Sequence, residues 1–372
     1  MKEKIYVALD IGETTIKALA MNYYNSKLTV IASTKVKTSG ITNGDISNVN
    51  DLSISIKEAL SNLANQDDTI PLDKILLVLP SSKIKVYRKK ASLEITARDH
   101  IITTKDLREL RISFAKSDIS NDEIIVNLTP ICYQIDGGEP LYKDISGMSA
   151  TRVELEANVI TLPSFVARSY VDIIQNMGYE ILDAVVSPLA LSSILVTNDA
   201  TTNGNVIVDF GGKNTLLSYF QNGTLVGTSL IKFGSNLITS EISKVFDLNY
   251  DTCDKLKKEF GNANAQMSEQ IIVYSDEARG LYISEQSLTD VVTKRLEEFY
   301  VELIKQSSTL TKNIMYPMTL IGGGSHLNLL DEQMSNRLNR KVKTYMSSFV
   351  GARSNDYLPC IGIIHYYINT HR

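Results

Sequence analysis

The chain predicts a duplicated α/β fold of two lobes, with a small subdomain inserted in the first. Three observations predict it. Two glycine turns, each fed by an apolar run ending in aspartate, recur in the two halves: Ile5-Tyr6-Val7-Ala8-Leu9-Asp10-Ile11-Gly12 and Val206-Ile207-Val208-Asp209-Phe210-Gly211-Gly212. Each turn continues into a second apolar run, Ile16 to Ala20 and Leu216 to Phe220, so each reads as strand, tight turn, strand. The order of helices and strands behind the two hairpins is similar, and a more polar stretch from about 81 to 163 interrupts the first half.

The elements follow in order. Lys4–Leu9, Ile16–Tyr23 and Leu28–Val36 read as a three-strand meander, broken by Gly12 and by Asn25-Ser26. Asp51 to Ala64 places Leu52, Ile56, Ala59, Leu60 and Leu63 on one helical face. Ile75–Leu79 is a short buried strand. Within the polar stretch, Lys83 to Lys90 alternates as a strand, Asp106 to Ala115 reads as a helix, and Ile124–Leu128 and Ile131–Ile135 read as two strands. The parent domain is expected to resume at Ala157–Leu162. Ser164 is expected to cap a helix carrying Val166, Tyr170, Ile173, Ile174 and Met177, with Gly178 just past its end. Ile181–Val186 is a strand and Pro188 to Val196 a helix. In the second half, Thr224–Phe233 is a strand. Helices are expected over Asn236 to Phe246 and Asp251–Phe260. Ser287 with Asp290 suggests a capping box for a long amphipathic helix carrying Leu288, Val291, Val292, Leu296, Phe299, Leu303 and Ile304. Met318–Ile321 is a strand running into Gly322-Gly323-Gly324-Ser325, followed by a helix with Leu327, Leu330, Met334 and Leu338. A helix over Ile361–Ile368 closes the chain.

Composition narrows the function classes. With 372 residues the chain is long enough for two or more domains, and 43% hydrophobic with 22% charged residues is ordinary globular chemistry. The net charge of -4 and the scattered basic residues argue against nucleic acid as a main partner. Cys132, Cys253 and Cys360 lie far apart, show no metal-ligand spacing and are odd in number, which fits a reducing cytosol. The opening segment enters a strand at once, leaving no visible signal peptide. The most apolar later stretch, Ile181 to Val196, is interrupted by Asp183, Ser187 and Pro188 and is short for a membrane span.

The paired turns suit a triphosphate with its magnesium. Backbone N–H groups at Gly12, Gly211 and Gly212 can approach phosphate oxygens closely. Thr14, Thr15 and Asn214 can donate, and Lys17 can add a positive charge. Asp10 and Asp209, at two strand ends, can hold a hydrated magnesium ion, which keeps most of its waters. The cluster Gly322, Gly323, Gly324 and Ser325 lets backbone pass close to a base or sugar, beside a helix N-terminus. Asp254 and Lys257 are candidates for ribose and base contacts, although a solvated helix face accounts for them equally well.

Together these residues look like the actin/chaperone/sugar-kinase superfamily: Leu9–Thr15 and Val208–Asn214 resemble its two phosphate motifs and Leu320–Ser325 its adenosine motif. Within it the chain most resembles the FtsA family of bacterial actin-like division proteins, over nearly its whole length. Specific points are Ser39-Gly40-Ile41-Thr42-Asn43-Gly44, Ile145-Ser146-Gly147-Met148-Ser149 with Arg152, Phe233-Gly234-Ser235-Asn236-Leu237-Ile238, and Gly362-Ile363-Ile364-His365-Tyr366. The resemblance implies an actin-like (ribonuclease H-like) two-lobed fold. Its lobe I core would be 1–82 with 164–205 and about 350–372, and the inserted subdomain 83–163. The lobe II core would be 206–226 with 311–349, and its small subdomain 227–310. It further implies a protein that binds ATP and Mg2+, polymerises into filaments, links FtsZ to the cytoplasmic face of the cell membrane at the division septum, and recruits later division proteins through 83–163. The FtsZ C-terminal tail would dock at Lys294 and Arg295, against the alternative of a solvent-facing pair balanced by Glu297 and Glu298.

Departures from the family pattern qualify the implied activity. Glu13 replaces a small hydroxyl residue, and Lys213 and Leu216 stand where a glycine and an aspartate are common. Ser187-Pro188 occupies the place where related enzymes carry a catalytic carboxylate, so no catalytic residue is assigned and at most slow ATP hydrolysis is expected. The family's terminal membrane helix is not evident before Arg372: either the sequence stops short of it or another element supplies the tether. Two rivals remain: the related PilM family of pilus-assembly adaptors, and a small-molecule kinase.

Overall fold

The computed structural model describes residues 3–114, 119–196, 204–311 and 316–371. The chain opens with β1 (Lys4–Ile11), β2 (Thr15–Tyr24) and β3 (Lys27–Lys37), an antiparallel meander. The β2–β3 turn is two residues long, and both Asn25 and Ser26 take positive φ, as a hairpin turn matched to strand twist requires. The two-residue strands β4 (Ile41–Thr42) and β5 (Asp45–Ile46) follow. Helix α1 (Val49–Ala64) is capped by the Asn48 side chain, which accepts from the N–H groups of Asn50 and Asp51. Strand β6 (Lys74–Leu79), buried throughout after Lys74, pairs parallel to β1.

The inserted segment forms its own sheet, in the order β7 (Lys85–Glu94), β9 (Arg152–Pro163), β8 (Glu123–Ile135), packed with α2 (Thr104–Ser113). Leu110, Phe114, Val153, Leu155, Ala157 and Val159 make a separate core there. The chain then returns through α3 (Ser164–Asn176), β10 (Glu180–Val186) and α4 (Ser187–Leu195).

The second lobe comprises β11 (Asn205–Phe210), β12 (Thr215–Gln221), β13 (Thr224–Ile231), α5 (Ser235–Phe246), α6 (Tyr250–Phe260), the hairpin β14 (Ile272–Asp276) and β15 (Leu281–Ser284), α7 (Glu285–Leu310), β16 (Met318–Ile321), α8 (Leu330–Leu338) and β17 (Val342–Thr344). Helix α9 (Leu358–Thr370) packs back on the first lobe, where the Ser193 hydroxyl donates to the Gly362 carbonyl at 2.8 Å.

The duplication is explicit in the sheets. One runs β3-β2-β1-β6-β10 and the other β13-β12-β11-β16-β17. Each carries an antiparallel meander followed by two parallel strands. The first and fourth strands of each sheet end side by side, which delivers the two aspartate turns to matching positions. All three cysteines are free and buried.

Several local expectations change. Ile124–Leu128 and Ile131–Ile135 are one strand, β8, with register shifts at Ile125/Asn127 and Pro130/Cys132. Pro130 interrupts the apolar pattern, but β8 is an edge strand, where a bulge accommodates proline. Ala157–Leu162 lies in the central strand of the inserted sheet rather than restarting the parent domain, although Ile160 and Leu162 pack into the first-lobe core. Ser164 is the first helical residue; Pro163 occupies the cap position without a side-chain bond, and the Ser164 N–H is satisfied by the Asp122 carbonyl at 2.7 Å. The box on α7 is Ser284 with Ser287, one step earlier than Ser287 with Asp290, and Asp290 instead accepts from Gln286. Leu327 precedes α8, and a 3-10 turn over Gly323–His326 separates the glycine cluster from that helix.

The second-lobe core is organised by rings. Phe299 on α7 stacks on Phe210 at 4.8 Å between centroids and lies 5.3 Å from Phe233. All three are buried. Phe299→Ala should therefore cost about 3–5 kcal/mol, read as a lowered urea midpoint; a loss within experimental error would show that this stack does not organise the lobe.

Candidate functional site

A cleft of about 770 Å³ lies between the lobes and is lined by both aspartate turns, the glycine cluster and α6. The turns are built alike: the Gly12 N–H donates to the Thr15 carbonyl at 3.2 Å, and the Gly211 N–H to the Asn214 carbonyl at 3.0 Å. Thr38 braces the first turn, its hydroxyl donating to the Gly12 carbonyl at 2.7 Å. Ser235 and Asn236, at the start of α5, brace the second through the Gly211 and Gly212 carbonyls.

The turns meet directly. A Cβ on Gly212 would stand 2.5 Å from the Thr14 hydroxyl oxygen, so any larger residue there requires the Thr14 side chain to move. Glu13 reaches across: its Oε1 accepts from Asn214 at 3.3 Å and its Oε2 lies 3.9 Å from the Lys213 ammonium. Glu13 and Lys213 thus face each other from opposite turns.

The charges below the turns differ between lobes. Strand register sets Asp10 opposite Lys17, and they pair at 3.0 Å. Burial works to lower the Lys17 pKa, but Asp10 and Asp356 outweigh it and the ammonium is held charged. Lys17 is therefore a charged cation of the cleft wall that already holds Asp10. In the second lobe Asp209 sits opposite Leu216. Without a cross-strand cation, burial pushes its carboxyl up to about 6, with Asp10 and Asp356 adding and Lys17 opposing. Gly322 makes room for it: φ is 86° and an added Cβ would fall 2.5 Å from Asp209 Oδ1.

The remaining candidates are placed as follows. Thr14, Thr15, Gly323 and Gly324 line the cleft. Ser325 is buried beneath it, donating to the Gly322 carbonyl at 2.7 Å and accepting from Asn355 at 3.1 Å, so it pins the glycine turn. Asp254 pairs with both Lys257 and Lys258. Lys257 spends its donors on Asp254, the Thr239 hydroxyl at 2.6 Å and the Ser235 carbonyl at 3.1 Å, bracing α6 against α5. Lys294 and Arg295 lie outside the cleft on α7. Lys294 is exposed, whereas Arg295 is half-buried, donating to Glu298 at 2.7 Å with its guanidinium 5.9 Å from the Phe233 ring. Glu297 pairs instead with Arg337.

Sequence reading missed Lys35 and Asp356 as cleft residues, whereas Ser187, expected in the place of a catalytic carboxylate, does line the cleft. Lys35 pairs with Asp356, and burial, which would raise the Asp356 pKa, is outweighed by Lys35, leaving it low. Nothing local marks these residues, since only the return of α9 to the first lobe brings Asp356 in. Ser187 opens α4; its hydroxyl is buried without a partner, and its N–H donates to Ser81 at 3.0 Å.

Asp209 should make stability depend on pH. An unfolded aspartate titrates near 4, so between about 4 and 6 the folded chain binds more proton, and stability falls as pH rises through that window. Asp209→Asn should stabilise the chain by up to about 3 kcal/mol at neutral pH, a gain that vanishes near pH 4. Urea unfolding at both pH values measures it; equal stability of the two proteins at neutral pH would refute the buried-charge assignment.

The comparisons with known proteins agree with this geometry. A family model described as cell division protein FtsA matches residues 206–362, and a second, the SHS2 domain inserted in FtsA, matches residues 81–161. The cell division protein FtsA of Enterococcus hirae is 24% identical over 99% of this chain and 84% of its own length. That of Bacillus subtilis is 22% identical over 98% of this chain and 83% of its own length. Among solved structures, a chain of the PilM-PilN type IV pilus biogenesis complex superposes with a TM-score of 0.67 at 14% identity, covering 98% of both chains. MreB 5 of Spiroplasma citri bound to AMPPNP superposes with a TM-score of 0.58 at 15% identity, covering 99% of this chain and 97% of that one. Among the described residues, no helix is long and apolar enough to cross a membrane. With both lobes, the inserted sheet and the paired turns in place, the chain belongs to the FtsA family of cell division proteins and has its actin-like fold.

Proposed function

We propose that the cleft binds ATP with magnesium and that the chain acts as a filament-forming division protein joining FtsZ to the membrane. The observation that carries this reading is the close approach of the two glycine turns, Gly212 against Thr14. Each turn presents backbone N–H groups and small side chains to the same space, the arrangement a chain of phosphates needs. The glycine cluster at 322–324 then borders the nucleoside, and Asp254 with Lys257 supports that wall. Relatives of the fold bound to AMPPNP and to ADP are known in MreB 5 of Spiroplasma citri.

The donor set suits a magnesium ion that arrives hydrated on the nucleotide. Among the described residues there is no cluster of three or more His, Cys, Asp or Glu side chains able to hold a metal. Asp10, already paired with Lys17, and Asp209 would accept hydrogen bonds from metal-bound waters rather than cage the ion. Bound magnesium would neutralise phosphate charge and draw Asp209 into its ionised form. With Ser187 in place of a carboxylate, nucleotide acts first as a structural and switching ligand. Asp10→Ala should lower magnesium-ATP affinity by about tenfold or more in calorimetric titration; unchanged affinity would reject the metal role.

The frame of the reading is a first-lobe core of 1–82, 164–205 and about 350–372, an inserted subdomain of 83–163, a second-lobe core of 206–226 and 311–349, and a small subdomain of 227–310. Self-association would be actin-like, and later division proteins would engage the inserted subdomain. The protein would work on the cytoplasmic face of the membrane at the septum, through a tether outside the elements described. The FtsZ C-terminal tail would meet α7 at Lys294 and Arg295, a charge-assisted contact. Because Arg295 also packs on Phe233, the cleaner probe is exposed Lys294. Both Lys294→Glu and Arg295→Glu should weaken binding of an FtsZ tail peptide at least about tenfold by fluorescence anisotropy. Normal affinity in both would remove the site and reopen the pilus-adaptor reading, which rests on likeness of fold alone.

A further inference from the structure

We propose that Glu13 and Lys213 form a cross-cleft pair that reads the terminal (γ) phosphate of a bound nucleoside triphosphate, with Lys213 as the phosphate-binding cation of the second turn. The proposal rests on the nucleotide reading above and deepens it.

Four observations carry it. The two residues stand on opposite phosphate turns, so any ligand gripped by both turns passes between or beside them. Their pairing is loose: the Lys213 ammonium is 3.9 Å from Glu13 Oε2 and its side chain is 44% exposed. Glu13 Oε2 itself is buried without a hydrogen bond, while Oε1 is held by Asn214. The other cations lining the cleft are more tightly engaged: Lys17 with Asp10, Lys35 with Asp356, Lys37 with Asp251, and Lys257 and Lys258 with Asp254.

A terminal phosphate carries more charge and more acceptor oxygens than a carboxylate, so it outcompetes Glu13 for Lys213. A diphosphate lacks that group and leaves the pair in place. Burial pushes the Glu13 carboxyl up, with Asp45 adding and Lys213 and Lys83 opposing. When Lys213 turns to phosphate, the strongest of the opposing charges is withdrawn and Glu13 is free to take a proton, which limits the repulsion left beside the ligand. Exchange of Lys213 between Glu13 and phosphate therefore couples phosphate number to the contact between the lobes.

Calorimetric titration of the full chain with AMPPNP and with ADP, both in magnesium buffer, tests this. Lys213→Met should weaken AMPPNP about tenfold and change ADP by less than about twofold. Lys213→Arg should keep the wild-type preference, since it keeps the charge. Glu13→Gln, whose amide oxygen still accepts from Asn214, should tighten AMPPNP several-fold and leave ADP unchanged. If Lys213→Met and Glu13→Gln alter both ligands equally, or neither, the pair does not read the terminal phosphate while the nucleotide reading stands. If the wild-type chain binds neither ligand, the nucleotide reading falls and this proposal with it.

Discussion

Everything in the cleft depends on the contact between the Gly212 backbone and the Thr14 hydroxyl. A side chain at 212 would force the Thr14 side chain aside, since its Cβ would lie 2.5 Å from the Thr14 hydroxyl oxygen. Because each turn is closed by its own hydrogen bond and braced from behind, by Thr38 on one side and α5 on the other, neither can retreat cheaply. The lobes therefore meet at a fixed point. Glu13, Asn214 and Lys213 tie that point with polar contacts, and Lys37 with Asp251 adds a second, exposed tie between β3 and α6. Exposed ion pairs contribute little to stability, so these ties are better suited to opening and closing than to holding the fold.

The duplication is exact in topology and broken in charge. Equivalent strands deliver Asp10 and Asp209 to equivalent places, but Lys17 faces the first and Leu216 the second. One carboxylate thereby has a cation on the neighbouring strand, while the other faces leucine there and burial raises its pKa to about 6. A site whose two carboxylates differ in this way is asymmetric toward a cation: the second lobe gains more from its arrival. That asymmetry gives a physical reason for ligand binding and lobe position to be linked.

Much of this was legible along the chain. The aspartate-glycine turns, the meanders and Met318–Ile321 follow from period-two patterning and turn residues, which act over a few positions and survive any tertiary arrangement. Errors cluster where a neighbour in space decides. Pro130 split a strand on paper because nothing in its own sequence says that β8 is an edge. Ser287 reads as the cap because a serine three residues ahead of an acid matches the capping pattern, whereas Ser284, the residue that caps the helix, is followed at that spacing by another serine. The partner of Lys17 is likewise a spatial fact: the hairpin that makes the first turn sets it against Asp10.

By itself, the sequence determined the two-lobed class, the hairpins that carry Asp10 and Asp209, and the polar inserted segment, because each is written in local periodicity and in residues with special dihedrals. The tertiary structure alone decided that Gly212 touches Thr14, that Glu13 pairs with Lys213 from the far turn, that α9 brings Asp356 to Lys35, and that Arg295 leans on Phe233. Those contacts join residues many positions apart. Their existence depends on how two sheets of one topology pack across a common cleft, which no window of the chain encodes.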